Sequence, residues 1–250
     1  MSVTGDRATV GVGTVDGIDN PDPNDFATIA ADPTLQLLPR PALNIFYLGI
    51  NNTVPPFDNE EVRQAIAMGI DKQAIIDKFY PAGSTVADYF TPCEIPGGCE
   101  GEPWYEYDPA GAIAKLEAAG FKPGDIKTTL SYRDVVRGYL PKPAAVAEEL
   151  QAQLKAIGIE VTIDVQESGT FIDNADAGKL SLHLLGWGAD YPDQTNFLDF
   201  HFGKGASAQF GNKFDDLTAK LEEAAALSDQ AERAKLYAEA NNLIKQHVPM

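Results

Sequence analysis

Positive charge is scarce in this chain. Nineteen Lys and Arg stand against 37 Asp and Glu, a formal net charge of −18. Such a field repels nucleic acid and anionic membrane surfaces at long range, which sets both aside as partners, while a cationic or zwitterionic small ligand is easily accommodated. No apolar run reaches the roughly 18 residues of a membrane-spanning helix. The start, Met1-Ser2-Val3-Thr4-Gly5-Asp6, lacks the basic and apolar stretches of a signal peptide, so the chain reads either as cytosolic or as an internal piece of a longer secreted protein. Only three histidines occur, His183, His201 and His247, with no metal-ligand spacing among them, and no Ser sits in a Gly-x-Ser-x-Gly elbow. No metal, no cofactor and no catalytic residue is expected.

Cysteine is equally sparse. Cys93 and Cys99 flank a short loop, Pro92-Cys93-Glu94-Ile95-Pro96-Gly97-Gly98-Cys99, whose prolines and glycines favour a tight turn. That turn brings the sulfurs within reach of each other and predicts a disulfide, which in turn fits an oxidising compartment. The loop is expected to decorate the surface without touching ligand.

What the chain does have is 44% hydrophobic residues arranged in alternating strand and helix patterns. Residues 1–40 read as irregular. There Asp19-Asn20-Pro21-Asp22-Pro23-Asn24-Asp25 is a solvated loop whose prolines spoil a calcium site, and Gly11-Val12-Gly13-Thr14-Val15-Asp16-Gly17 fails as a dinucleotide loop because its third glycine comes one place late. Leu43 to Ile50 is an apolar strand. Asp58, with Glu61 three places on, caps a helix carrying Val62, Ala65, Ile66 and Ile70. Asp71 opens another with Ile75, Ile76, Phe79 and Tyr80 inward, and Asp108-Pro109 opens a third that Gly120 stops. Strand Thr128 to Tyr132, helix Pro143 to Ile157 and strand Ile159 to Val165 follow, the last alternating as a half-buried strand. Two helices end the chain, from Phe214 to Leu227 and from Ser228-Asp229 through Ile244.

The segment most suggestive of function lies between them. Leu180, Leu182 and Leu184 alternate with Ser181 and His183 as a strand, His183 facing solvent or a polar pocket, and the strand runs into Gly186-Trp187-Gly188-Ala189-Asp190-Tyr191-Pro192-Asp193. Strand ends of α/β sheets are where ligands bind, so this turn presents a tryptophan and a carboxylate at a favoured place. Asp190 and Asp193 together offer one enzymatic reading, a carboxylate-based hydrolase. Their separation of three residues in a turn points instead to a capping or bracing role for at least one of them.

Several segments, in order, carry a family resemblance. The string Pro55-Pro56-Phe57-Asp58-Asn59-Glu60-Glu61-Val62-Arg63-Gln64-Ala65-Ile66-Ala67-Met68-Gly69-Ile70-Asp71-Lys72-Gln73-Ala74-Ile75-Ile76, the helix after Tyr107-Asp108-Pro109 ending in Ala119-Gly120-Phe121, the step Leu154-Lys155-Ala156-Ile157-Gly158-Ile159 and the loop Gly186-Trp187-Gly188-Ala189-Asp190-Tyr191-Pro192-Asp193 are together similar to the family 5 (peptide/nickel/opine-type) extracellular solute-binding proteins of ABC importers. The match runs from about Ala42 to Pro249.

The resemblance implies an α/β fold, a periplasmic-binding-protein-like lobe with a mixed sheet flanked by helices. It implies that residues 42–250 are the second, ligand-binding lobe and residues 1–41 a hinge-flanking segment, with the first lobe absent from this chain. In the peptide-binding members the aspartate of Gly-Trp-x-x-Asp holds the ligand's α-ammonium, a place Asp190 occupies, with Trp187 and Gly188 beside it. Dipeptide binders meet the ligand carboxylate with the arginine of Arg-Pro-Tyr-x-Pro. Here the string is Arg137-Gly138-Tyr139-Leu140-Pro141, with Gly138 in place of the proline, so Arg137 and Tyr139 carry over while the loosened loop puts dipeptide specificity in question; Arg133 is a competing arginine. Arg63 reads as structural, pairing with a carboxylate across the lobe. The implied function is capture of a peptide or similar small solute outside the cytoplasmic membrane, by a monomer at a periplasm or cell surface, free or lipid-anchored in its full-length form. Its implied partners are a small-molecule ligand, ABC permease subunits and the missing lobe. Oligosaccharides, opines and nickel complexes are alternative ligands within the family.

Overall fold

A computed structural model describes residues 15–18, 21–22, 25–38 and 43–250. Gly11 to Thr14, Asp19, Asn20, Pro23 and Asn24, and with them most of the two rejected ligand loops, lie outside the described residues. By its internal contacts the chain divides into two units, Met1–Ala42 and Leu43–Met250. The first contains helix α1 (Phe26–Ala31), which buries Ile29 and ends where the Asp32 amide donates to Ile29 O. This helix corrects the expectation that residues 1–40 are irregular; one short turn with a single buried apolar residue leaves no periodicity to read.

The second unit is a four-stranded mixed sheet between two layers of helix. Its strands are β1 (Asn44–Ile50), β2 (Ile126–Arg133), β3 (Ile159–Gln166) and β4 (Leu182–Gly188), ordered β1-β4-β2-β3. β2 runs parallel to both β3 and β4, while β1 is antiparallel to β4 with Asn44 opposite Gly188 and Ile50 opposite Leu182. Because successive strand residues point to opposite faces, one short apolar strand serves two cores. In β1, Leu48 and Ile50 enter one core and Ile45 and Tyr47 the other; in β4, Leu182 and Leu184 face the first and Leu185 and Trp187 the second.

The first core is closed by α2 (Glu60–Gly69), α3 (Lys72–Phe79), α4 (Pro109–Ala118) and α5 (Pro143–Ala156), the second by α7 (Leu198–Phe202), α8 (Asp215–Ala225) and α9 (Gln230–His247). Helix α6 (Ser168–Asp176) buries Phe171 and Ala175 against Leu180. The capping residues read from the sequence do their work at Asp71, Asp108 and Asp229, whose side chains accept from the amides of Ala74, Gly111, and Ala231 and Glu232. At α2 the cap is Asn59, which has the extended backbone a cap needs and accepts from Glu61 N, rather than Asp58. In β3, Ile159 and Val161 are buried but Val165 is exposed, since the edge strand's end outruns its helical cover.

One further expectation is met and two are corrected. The disulfide joins Cys93 to Cys99 across a Cα separation of 4.9 Å, and its loop docks on α9, where Asn241 Nδ2 donates to Glu100 O at 2.8 Å. Arg63 is buried but looks chiefly to carbonyls: it donates to His247 O at 2.7 Å and Phe57 O at 2.8 Å, tying α2 to the chain's end. The carboxylate it faces, Glu60 at 3.9 Å, is on its own helix rather than across the lobe. His183 does not face solvent or a polar pocket. It is fully buried, ringed by Tyr47 and Phe210, and among the described residues neither ring nitrogen has a hydrogen-bond partner.

Candidate functional site

β2 and β4 are parallel, so their C-terminal ends, Arg133 and Gly188, emerge at one edge of the sheet, beside Asn44 at the start of antiparallel β1. The ladder continues one step past the strand, Ala189 N donating to Leu43 O at 2.7 Å, and then breaks into the loop that carries Asp190. Gly188 and Asp190 are both exposed. Among the described residues none hydrogen-bonds to or ion-pairs with the Asp190 carboxylate, so it is available to a ligand.

The loop beneath that carboxylate is firmly held. Asn196, almost fully buried, accepts through one oxygen from Asp190 N at 2.8 Å and from Trp187 Nε1 at 3.2 Å. Trp187 is half-buried: its ring stacks on Phe200 at 4.2 Å and meets His201 edge-on at 5.3 Å. Phe200 is 50% exposed, so the stacked pair is an aromatic ledge that is part core and part surface. The indole therefore both packs the second core and lines the exposed edge.

Asp193, three residues from Asp190, is fully engaged. Its Oδ1 accepts from Thr195 N at 2.9 Å, capping the 3₁₀ turn Gln194–Asn196, and both its oxygens accept from Arg233 of α9 at 2.6 Å. The paired guanidinium holds its carboxyl far below the usual range. An anion so fixed neither donates nor takes up a proton near neutral pH, which removes one of the two carboxyls a hydrolase would need. The bracing role belongs to Asp193.

The second predicted cluster sits over the same edge. Arg137 and Leu140 close a tight turn by reciprocal backbone bonds of 3.1 and 3.0 Å. Tyr139 lays its ring on Gly186 so closely that a Cβ there would overlap it, which is why β4 carries glycine at this point. Tyr139 is a brace as much as a surface, since its carbonyl accepts from Tyr80 OH at 2.9 Å and its hydroxyl from Arg133 Nη2 at 3.3 Å. Arg133 also donates to Ser168 Oγ at 2.9 Å, whereas Arg137 is exposed and its guanidinium donates only to Val136 O at 3.0 Å among the described residues. Of the two arginines, Arg137 is the one free to meet a ligand. A concavity of about 560 Å³ lined by Gln64, Tyr105, Lys220 and Lys245 lies elsewhere, against α9, and its lysines are already paired with Glu239 and Glu102.

Among the described residues the arrangement is an exposed, unpaired carboxylate and an exposed guanidinium on one sheet edge, with an aromatic ledge beside the carboxylate. A sequence model of the bacterial extracellular solute-binding proteins, family 5 (middle region), matches residues 6–209.

The chain belongs to this family.

It is similar to heme-binding protein A of Haemophilus influenzae, 33% identical over 247 residues that cover 97% of this chain and 45% of that protein. Di/tripeptide-binding protein 1 of Pseudomonas aeruginosa is 34% identical over 236 residues, 92% of this chain and 43% of that one. Among solved structures, the ABC transporter-associated periplasmic binding protein DppA of Helicobacter pylori, in complex with the peptide STSA, superposes with a TM-score of 0.86 at 27% identity, covering 97% of this chain and 47% of that chain. The chain thus spans less than half the length of each of these three proteins. All three are named as binding proteins, and the α/β lobe with its mixed sheet is the fold that superposes on the solved one.

Proposed function

We propose that this chain is the ligand-binding lobe of the solute-binding component of an ABC importer, and that it takes a peptide or similar amine-bearing solute outside the cytoplasmic membrane. Residues 42–250 form the lobe and residues 1–41 flank a hinge to a second lobe that completes the cleft. The observation that supports this reading is Asp190: an exposed carboxylate, unpaired among the described residues, on a loop held by buried Asn196, beside the Trp187–Phe200 ledge. An ammonium brought against it as the lobes close loses water on both sides, and the attraction between unit charges rises several-fold as the effective dielectric falls. Arg137, exposed on the neighbouring turn, meets a carboxylate of the same solute. Closure around that solute is what membrane permease subunits read. The protein works as a monomer without nucleic acid, in a periplasm or at a cell surface.

Native mass spectrometry of the intact protein, purified without refolding, tests the reading. The expected result is a co-purified solute carrying a free amine, released when the protein is unfolded. A haem or an uncharged oligosaccharide in its place would overturn the assignment of Asp190 while leaving the family intact.

A further inference from the structure

We infer that Asn196 is the positioning residue of this site, the group that fixes where Asp190 and Trp187 stand; the inference rests on the anchoring role proposed for Asp190. Asn196 is 3% exposed, and its amide has one geometry that fits: both neighbours, Asp190 N and Trp187 Nε1, are donors, so the atom that faces them is the oxygen. One oxygen thus ties the backbone of the anchor to the ring of the ledge. Without it two N–H groups lose their partner at once.

Asn196 is itself held from a distance. It closes the 3₁₀ turn through its own amide, which donates to Asp193 O at 3.1 Å, and that turn is pinned by the two 2.6 Å bonds from Arg233 of α9. A chain of contacts therefore runs from the C-terminal helix, through Arg233, Asp193 and Asn196, to Asp190. Each link is a hydrogen bond to a group that is buried or charged, so the loop is preorganised before any solute arrives.

The test uses the intact protein and two variants. Asn196→Leu keeps the shape and removes the acceptor; Asn196→Asp keeps the acceptor. Should Asn196→Leu not fold, Asn196→Ser, too short to reach both donors, replaces it. The probes are trialanine and N-acetyl-trialanine, which differ only in the ammonium. Wild type is expected to prefer trialanine. Asn196→Leu is expected to weaken trialanine binding about 10-fold and to erase much of that preference, while Asn196→Asp keeps it. Equal losses for both peptides, or none, would overturn the positioning role. Hydrogen exchange at the Asp190 amide, measured without ligand, gives an independent readout. It should quicken about 10-fold or more in Asn196→Leu and stay near wild type in Asn196→Asp. Unchanged exchange in all three proteins would also overturn the inference. A wild type with no preference for the free amine would sink the anchor instead, and the exchange measurement would still decide what Asn196 does.

Discussion

Acidification to pH 5 should destabilise this protein by about 4 kcal/mol, and a single substitution at His183 should remove half of that loss. His183 and His201 are both buried, the first beneath Tyr47 and Phe210, the second among Phe90, Phe200 and Phe202. Burial pushes each imidazole down from 6.5 to about 4, offset only in part, at His201, by the hydrogen bond to Phe197 O. These are bases whose folded pKa is depressed, so the unfolded chain takes up protons that the folded one refuses. Stability is therefore full above the unfolded value and is lost as pH falls from about 6.5 to about 4. At pH 5 the unfolded form of each histidine gains about 1.5 units × 1.36, or about 2 kcal/mol. The depressed carboxyls of Asp193, Asp216 and Glu149 cost stability only as pH falls below about 4, outside this window. The assay is urea unfolding at pH 7.5, 6 and 5 and constant ionic strength, for wild type and His183→Leu. Comparing slopes rather than absolute stabilities cancels whatever repacking the leucine causes. Wild type should lose about 4 kcal/mol and the variant about 2; identical pH slopes would refute the reasoning.

Three other predictions test the frame of the site. Gly186→Ala drives a methyl into the Tyr139 ring and Ile45 O and should cost about 1–3 kcal/mol in thermal unfolding, with displacement of the Arg137 turn. A double-mutant cycle on Asp193→Asn and Arg233→Met should give a coupling of about 1.5 kcal/mol at pH 7, a value between an exposed pair and a buried one because the two side chains are 34% and 12% exposed. That coupling should persist above pH 5 and fade as pH drops below about 4, because the folded carboxyl titrates lower than the unfolded one. Replacing Cys93 and Cys99 by serine reopens a loop of sequence separation 6 and should cost about 2 kcal/mol in urea unfolding, while the oxidised wild type gains two daltons on reduction.

The fold was legible wherever a local rule was strong. Asp-Pro at 108–109, glycine at 120 and the apolar spacing of Val146, Leu150 and Leu154 each specify their element without tertiary help, and all three are realised. Reading failed where the rule was weak or ambiguous. Adjacent Asp58 and Asn59 are equally good caps on paper, and only the backbone of residue 59 decides between them. Helix α6 is missed because Ser-Gly-Thr opens it and Asn and Asp interrupt it, all poor formers; Phe171 and Ala175, buried against Leu180, hold it instead. At the site, residue type and position pointed to Asp190, Trp187 and Arg137, and the structure puts Trp187 at the end of β4, Asp190 on the loop that follows and Arg137 on a neighbouring turn. Arg233, Phe200 and Asn196 had no local signal, since their roles arise from chain segments that meet only after folding. The choice between Asp190 and Asp193 needed the same information: one carboxylate is open and the other is gripped by a residue 40 positions away.

The central claim is that the Asp190 carboxylate holds a solute's ammonium. Isothermal titration of trialanine into the intact protein and into its Asp190→Lys variant tests it most directly. Binding should weaken by about 100-fold or more, with a melting temperature close to wild type, because that carboxylate is exposed and unpaired among the described residues. Unchanged affinity in the charge-reversed protein would contradict it.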